Sequence, residues 1–296
     1  MSTTATATKS KPRPRPVRRP GLRRRRNPAS RAALYLMLVV GAAMSVFPYW
    51  LVVSTALKPR GELFDAAPWV PPANPTLDNL TSLLTSDFAK SILNTFLFVL
   101  ILTVGQLIFT TLAAYAFARL RFRGRDALFW LYLATLMVPN VVTMIPLFLI
   151  MRELDLVNTW YGLVGPYVLG TPYGIFLMRQ FFRGIPREIE EAARVDGAGH
   201  LTILWRVILP LSRPILATLA IITVITSWNN FLWPLIITSS EDTRVATVAM
   251  AALRTEIGVD YTRMMAGSLL TMLPMLLVFV FFQRFIVRSV ALTGLK

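Results

Sequence analysis

Six stretches of the chain contain no Asp, Glu, Lys, Arg or His: residues 32–57, 91–118, 127–151, 156–178, 214–240 and 264–283. They are 20 to 28 residues long. At about 1.5 Å per residue, a helix of that length crosses the roughly 30 Å hydrocarbon core of a bilayer. The spacing therefore predicts an all-α fold: a polytopic transmembrane helical bundle of six spans. The fourth stretch, LVNTWYGLVGPYVLGTPYGIFLM, is interrupted by Gly and Pro throughout. Such a span is kinked, and is tolerated only where neighbours satisfy the freed backbone groups. Pro139 and Pro146 imply similar breaks in the third.

Composition agrees, with 55% hydrophobic and 16% charged residues and a mean hydropathy of +0.56. Soluble domains run nearer about 25% charged. No Cys is present, which excludes disulfides, thiolate metal sites and Cys nucleophiles. The one His, His200, leaves no basis for His-dependent metal or catalytic sites, and no cofactor is implied.

The net charge of +16 is unevenly spread, with 11 of the 31 Lys and Arg in residues 1–31. That stretch is rich in Pro and free of acids and aromatics, so it reads as a disordered basic cytosolic tail touching anionic lipid headgroups. Nucleic acid is not favoured as a partner, because no stacking aromatic accompanies the charge. The apolar run that follows is too long for the core of a signal peptide, and no small-residue cleavage site ends it. Counted on alternate sides of the six spans, Lys and Arg divide 24 to 7, the majority falling on the side of both termini. The positive-inside rule then places both termini in the cytosol, in the cytoplasmic (inner) cell membrane.

A chain that pumps by itself needs a source of energy. Proton relays use ionisable groups at membrane depth, and the six stretches hold none. Coupling to Na⁺ through backbone carbonyls of unwound helices stays open. No phosphate-binding loop, zinc-protease or nucleophile-elbow motif occurs, so the drive is expected from another chain.

The segment 185–210 departs from its surroundings. IPREIEEAARVDGAG places Glu188, Glu190 and Glu191 where a helix N-terminus favours negative charge, with Pro186 suited to the first turn. Ile189, Ala192 and Ala193 share one face, and the two Ala make it shallow. Asp196-Gly197 supplies the turn. Leu201, Leu204, Val207 and Ile208 form a second apolar face, which Pro210 ends. A helix, a Gly turn and a second helix along the cytosolic surface result; an interfacial connector would look the same.

EAARVDGAGHLTILWRVILP is similar to the EAA loop of permease subunits of ATP-binding-cassette importers, matching at Glu191, Ala192, Ala193, Gly197, Leu209 and Pro210, with Val207 in place of Ile. AYAFARLRFRGRD (114–126), LVNTWYGLVGPY (156–167), RQFFRGIPREIEEAARVDGAG (179–199) and SWNNFLWPLI (227–236) resemble the carbohydrate-uptake, maltose-transporter-like permeases of the six-span type. The resemblance covers residues 32–296, implying one permease domain with its EAA loop at 185–210. It implies further that a second permease completes the pathway, that two cytosolic ATPase subunits bind beneath, and that an extracytoplasmic solute-binding protein delivers the sugar. It makes the EAA loop a coupling helix between spans four and five. Glu191 would provide a polar docking contact, Gly197 the turn, and Ala192 and Ala193 close packing.

A neutral sugar needs hydrogen-bonding groups and flat aromatic faces in an uncharged passage. Span five offers Trp228, Asn229, Asn230, Phe231 and Trp233, and Asn94, Gln106 and Asn140 are further amides within spans. Each amide can equally cap kinked backbone or bond between helices. The maltose system also carries a warning, since its sugar is held mainly by the larger partner permease. Rival readings are a permease for a polyol or glycerol phosphate, an ion-coupled secondary transporter, and, most remotely, an intramembrane enzyme.

Overall fold

The computed structural model describes residues 28–293 except 64, 66, 256 and 257. The basic tail expected over 1–31 thus lies outside the described residues as far as residue 27. The chain divides at Pro48–Tyr49 into two compact units. The helix α1 (Pro28–Ala56) carries Pro48 within it, and its side chains from Ser30 to Trp50 are all exposed.

The larger unit is helical. In chain order it contains α2 (Asp78–Leu84), α3 (Asp87–Arg119), α4 (Arg125–Ala134), α5 (Asn140–Glu153), α6 (Trp160–Val168), α7 (Pro172–Gly184) and α8 (Arg187–Val195). These are followed by α9 (His200–Ile203), α10 (Leu209–Leu211), α11 (Arg213–Trp228), α12 (Leu232–Ile237), α13 (Ala246–Ala252) and α14 (Tyr261–Thr293). Two strands, β1 (Arg254–Thr255) and β2 (Gly258–Val259), form a short antiparallel ladder before α14.

Among the described residues three helices are long and apolar enough to cross a membrane: Ala29–Ala56, Asp87–Arg119 and Tyr261–Gln283. The count rises to five if two bent pairs each serve as one span, Arg125–Met137 with Asn140–Glu153 and His200–Leu211 with Arg213–Trp228. The first pair turns by 103° at Val138–Pro139, where Pro139 cannot continue a helix; Pro146 stays inside α5. The stretch 156–178 is no continuous span. It resolves into α6 and α7, of 9 and 13 residues, parted at Gly170, whose φ is +101°.

The axis of the larger unit is α3, of 33 residues. The Ser86 side chain caps it by accepting the Phe88 N–H, with Asp87 in the first turn and Arg119 in the last, each at the end its charge suits. Three buried clusters lie along it in sequence. Phe88 joins Ala56, Leu83, Ala249 and Ala266. Phe98, Val99 and Leu102 join Leu163, Trp233, Ile237 and Val245. Ala114, Tyr115 and Ala118 join Met178, Phe182, Ile203, Leu204 and Ile208. Helices in lipid have no water to escape from, so close fit holds them, and small residues permit it. At Gly105 a Cβ would sit 2.3 Å from Val168 Cγ2, which fixes how near α6 comes to α3.

Away from Arg119, amides tie the loops. Asn94 donates from Nδ2 to the carbonyls of Asp242 and Arg244, both at 3.0 Å, and Lys90 pairs with Asp242. Asn158, at φ +59°, accepts at Oδ1 from the Ser239 and Ser240 N–H groups and from the Ser240 and Thr243 hydroxyls, at 2.9–3.1 Å.

Candidate functional site

Two arrangements carry chemistry, one at each of two levels of α3. The first is the segment 185–211. Helix α8 ends in a Schellman turn: Gly197 N–H donates to Arg194 O and Ala198 N–H to Ala193 O, both at 2.9 Å, with Gly197 at φ +82°. After α9 the chain widens into one π turn, Leu204–Ile208, and then runs through α10. The expected stop at Pro210 falls elsewhere. Pro210 lies inside α10, and the 83° bend into α11 comes at Ser212, which is fully buried and donates its hydroxyl to Ile208 O at 2.7 Å.

The inward face of α8 is polar at its centre. Its buried residue is Glu190, with Ala193 half-buried below, whereas Ile189 and Ala192 are exposed. Glu190 Oε1 faces Arg119 Nε at 2.7 Å, a charge contact outside hydrogen-bond alignment, with side chains 5% and 4% exposed. Arg119 Nη2 donates to Phe182 O at 2.5 Å and Ile185 O at 2.6 Å, so one guanidinium joins the end of α3, the end of α7 and α8. Arg179 on α7 adds a second tie. It donates to Phe117 O and Asp126 Oδ1, each at 3.2 Å, and lies 3.9 Å above the Phe129 ring. The Asp126 carboxylate sits below its ordinary pKa, chiefly through the hydrogen bond from Arg125 and then through the charges of Arg125, Arg179 and Arg183.

The outer face of this segment is open. Glu191, Ala192, Gly197 and Pro210 are exposed and Leu209 is half-buried, with Val195 and Leu201 standing out among them at 88% and 64% exposure. A cavity of about 650 Å³ opens beside it, lined by Arg119 and Glu190 themselves together with Arg121, Arg187, Glu191 and His200. Sequence reading missed Glu190 and Arg119, although both lie in the quoted stretches. Spacing gave no signal for them, since of the stripe Ile189, Ala192 and Ala193 only Ala193 is half-buried.

The second arrangement is a cavity of about 820 Å³ between α3, α4, α5, α6, α7 and α11. Gln106, Asn140, Thr226, Asn229 and Asn230 supply its polar groups, Tyr132, Tyr167, Tyr173 and Phe231 its rings, and no lining residue is charged. Gln106 donates to Tyr167 O at 2.9 Å and accepts the Thr223 hydroxyl at 3.3 Å, presenting a fixed amide at the wall.

Of the expected pathway residues, Asn140, Asn229, Asn230 and Phe231 line this cavity, and Asn94, Trp228 and Trp233 do not. Asn94 is the loop tie described above. The Trp228 indole donates to Thr271 O at 3.2 Å and meets Phe96 edge-on. Trp233 is fully buried and donates to the carbonyls of Gly162 and Leu163. Asn140 is exposed rather than buried. Asn229 Nδ2 caps Ile225 O at 2.8 Å.

Residues 106–292 match the model of the binding-protein-dependent transport system inner membrane components. The arabinooligosaccharides transport system permease protein AraQ of Halalkalibacterium halodurans is 33% identical over 289 residues, covering 93% of this chain and 100% of the relative. The sn-glycerol-3-phosphate transport system permease protein UgpE of Pectobacterium atrosepticum is 35% identical over 264 residues, covering 86% and 94%. A chain in the crystal structure of a bacterial ABC transporter involved in the import of the acidic polysaccharide alginate superposes with a TM-score of 0.77 at 26% identity, covering 87% of this chain and 98% of that one.

Proposed function

From the premise that the chain belongs to the inner membrane components of binding-protein-dependent transport systems, we propose that it is the permease subunit of an ATP-driven importer for a neutral sugar or oligosaccharide. A second permease completes the pathway, two ATPase subunits bind beneath the pair with one of them docking on residues 185–210, and an extracytoplasmic binding protein delivers the solute. The domain runs over 32–296 as six spans, the fourth a broken one made of α6 and α7, with both termini cytosolic and the basic tail 1–31 on the inner membrane surface. The 24 to 7 division of Lys and Arg supports that orientation.

One observation carries the choice of solute: the cavity of about 820 Å³ is walled by amides, hydroxyls and rings without a charge. Such a wall exchanges hydrogen bonds with sugar hydroxyls and stacks on their apolar faces, whereas a bare anion there would meet no counter-charge. Asn140, Asn229, Asn230 and Phe231 are the residues assigned to solute contact. Glu191, Ala192, Ala193, Gly197, Leu209 and Pro210 are assigned to the ATPase surface. A second reading, an anionic solute, is favoured by the relative named for sn-glycerol 3-phosphate, and would require a cation from the partner permease.

Reconstitution decides between these. Vesicles holding the full complex and its binding protein should take up labelled oligosaccharide only with internal or coupled ATP, and competition by sn-glycerol 3-phosphate should be weak. Uptake by the purified chain alone under an ion gradient would establish a secondary transporter instead.

A further inference from the structure

We propose that α3 is the transmission element of the transport cycle, and that the buried Arg119–Glu190 pair is the joint through which work done on α8 enters it. The proposal rests on the importer reading above and assigns positioning roles to two residues outside the motif positions that suggest ATPase docking.

Three attachments at three depths support it. At one end, Arg119 closes on Glu190 and on the carbonyls of Phe182 and Ile185. Thirteen residues earlier, about 20 Å along the helix, Gln106 enters the cavity wall and holds Tyr167 O and Thr223. About 37 Å from Arg119, Asn94 grips the carbonyls of Asp242 and Arg244, while the Thr95 hydroxyl accepts the Ala246 N–H at 2.8 Å. No Pro interrupts α3 between these points, unlike α1, α5 and α14. A helix without a proline break, gripped at Asn94, at the cavity and at Arg119, moves all three together, which is what rigid-body coupling between sites requires.

The chemistry of the joint fits the task. Glu190 is on the inward face of α8, so it is not consumed by a docking surface, and its burial lessens screening of the pair by salt. Pulling α8 away from α3 would break the pair while each charge is still partly desolvated and without its partner. The joint therefore resists the motion that would waste ATP.

The test uses the complete complex in vesicles and reads ATP hydrolysed per solute taken up. Glu190→Gln keeps the size and an acceptor oxygen but removes the charge; the complex should assemble and hydrolyse ATP, with the ratio raised about tenfold. An Arg119→Cys/Glu190→Cys pair, which supplies the only two thiols of this chain, should show the same defect. Joining the two thiols with a short bifunctional reagent should bring the ratio back towards wild type. An unchanged ratio in Glu190→Gln, no recovery on cross-linking, or loss of assembled complex in step with uptake would each overturn the joint. Failure of the wild-type complex to take up solute with ATP would overturn the importer reading as well.

Discussion

At one level of α3, two opposite charges meet at 2.7 Å with side chains 4% and 5% exposed; at another, the wall of an 820 Å³ cavity is made of amides, hydroxyls and rings with no charge among them. The two regions share a helix and differ in what they must do. A buried ion pair is costly to open, so it holds two elements in one relation. Neutral amides exchange partners for little net free energy, which suits a passage that must release what it binds. Charge is spent where the molecule should be stiff, and kept from where a solute should pass.

Four measurements sharpen or break this contrast. Arg119→Ala should have the largest effect, because it strands buried Glu190 and two carbonyls: about 3–5 kcal/mol of unfolding free energy in detergent. A loss below about 1 kcal/mol would place the pair with ordinary surface bridges. Trp233→Ala should cost about 3 kcal/mol, as a fully buried indole leaves a void, whereas Asn230→Ala beside it should cost under about 0.5 kcal/mol. Equal losses would mean that the cavity wall is packing rather than passage. Asn158→Ala, which removes an acceptor of four hydrogen bonds, should cost about 1–3 kcal/mol and speed hydrogen exchange over residues 238–243.

The smallest effect should come from pH. Asp126 is held below its ordinary pKa by Arg125 and then by neighbouring arginines, so its stabilising contribution is present above about pH 4 and fades as pH falls through the lowered value. The thermal midpoint of Asp126→Asn should lie slightly below wild type at pH 7 and converge with it in acid. A constant offset across that range would exclude the carboxylate as the cause.

Much of this was legible in the chain. The uncharged stretches marked α1, α3 and α14, and Asp196-Gly197 marked the turn that Gly197 makes at φ +82°. What periodicity could not give was partnership. Glu190 and Glu191 are equal as letters, and only the packing of α8 on α3 buries one and exposes the other. The amides failed for a related reason. Asn94, Asn229 and Asn230 look alike in an apolar run, yet one ties a loop, one caps its own helix while lining the cavity, and the last lines the cavity alone among these roles. Trp228 and Trp233 are both buried, and each indole N–H donates to a backbone carbonyl of another helix. The stretch 156–178 was long enough for a span by length, but Gly170 at φ +101° divides it.

The most direct test of the contrast compares Glu191→Ala with Asn230→Ala in the same reconstituted complex, measuring ATP hydrolysis and solute uptake together over a range of solute concentrations. Glu191 is exposed on the outer face of α8 and Asn230 lines the cavity. The account expects Glu191→Ala to lower binding-protein-stimulated hydrolysis and uptake at every concentration, and Asn230→Ala to shift the half-saturating solute concentration while leaving ATP used per solute unchanged. The reverse assignment, or the same defect in both variants, would contradict it.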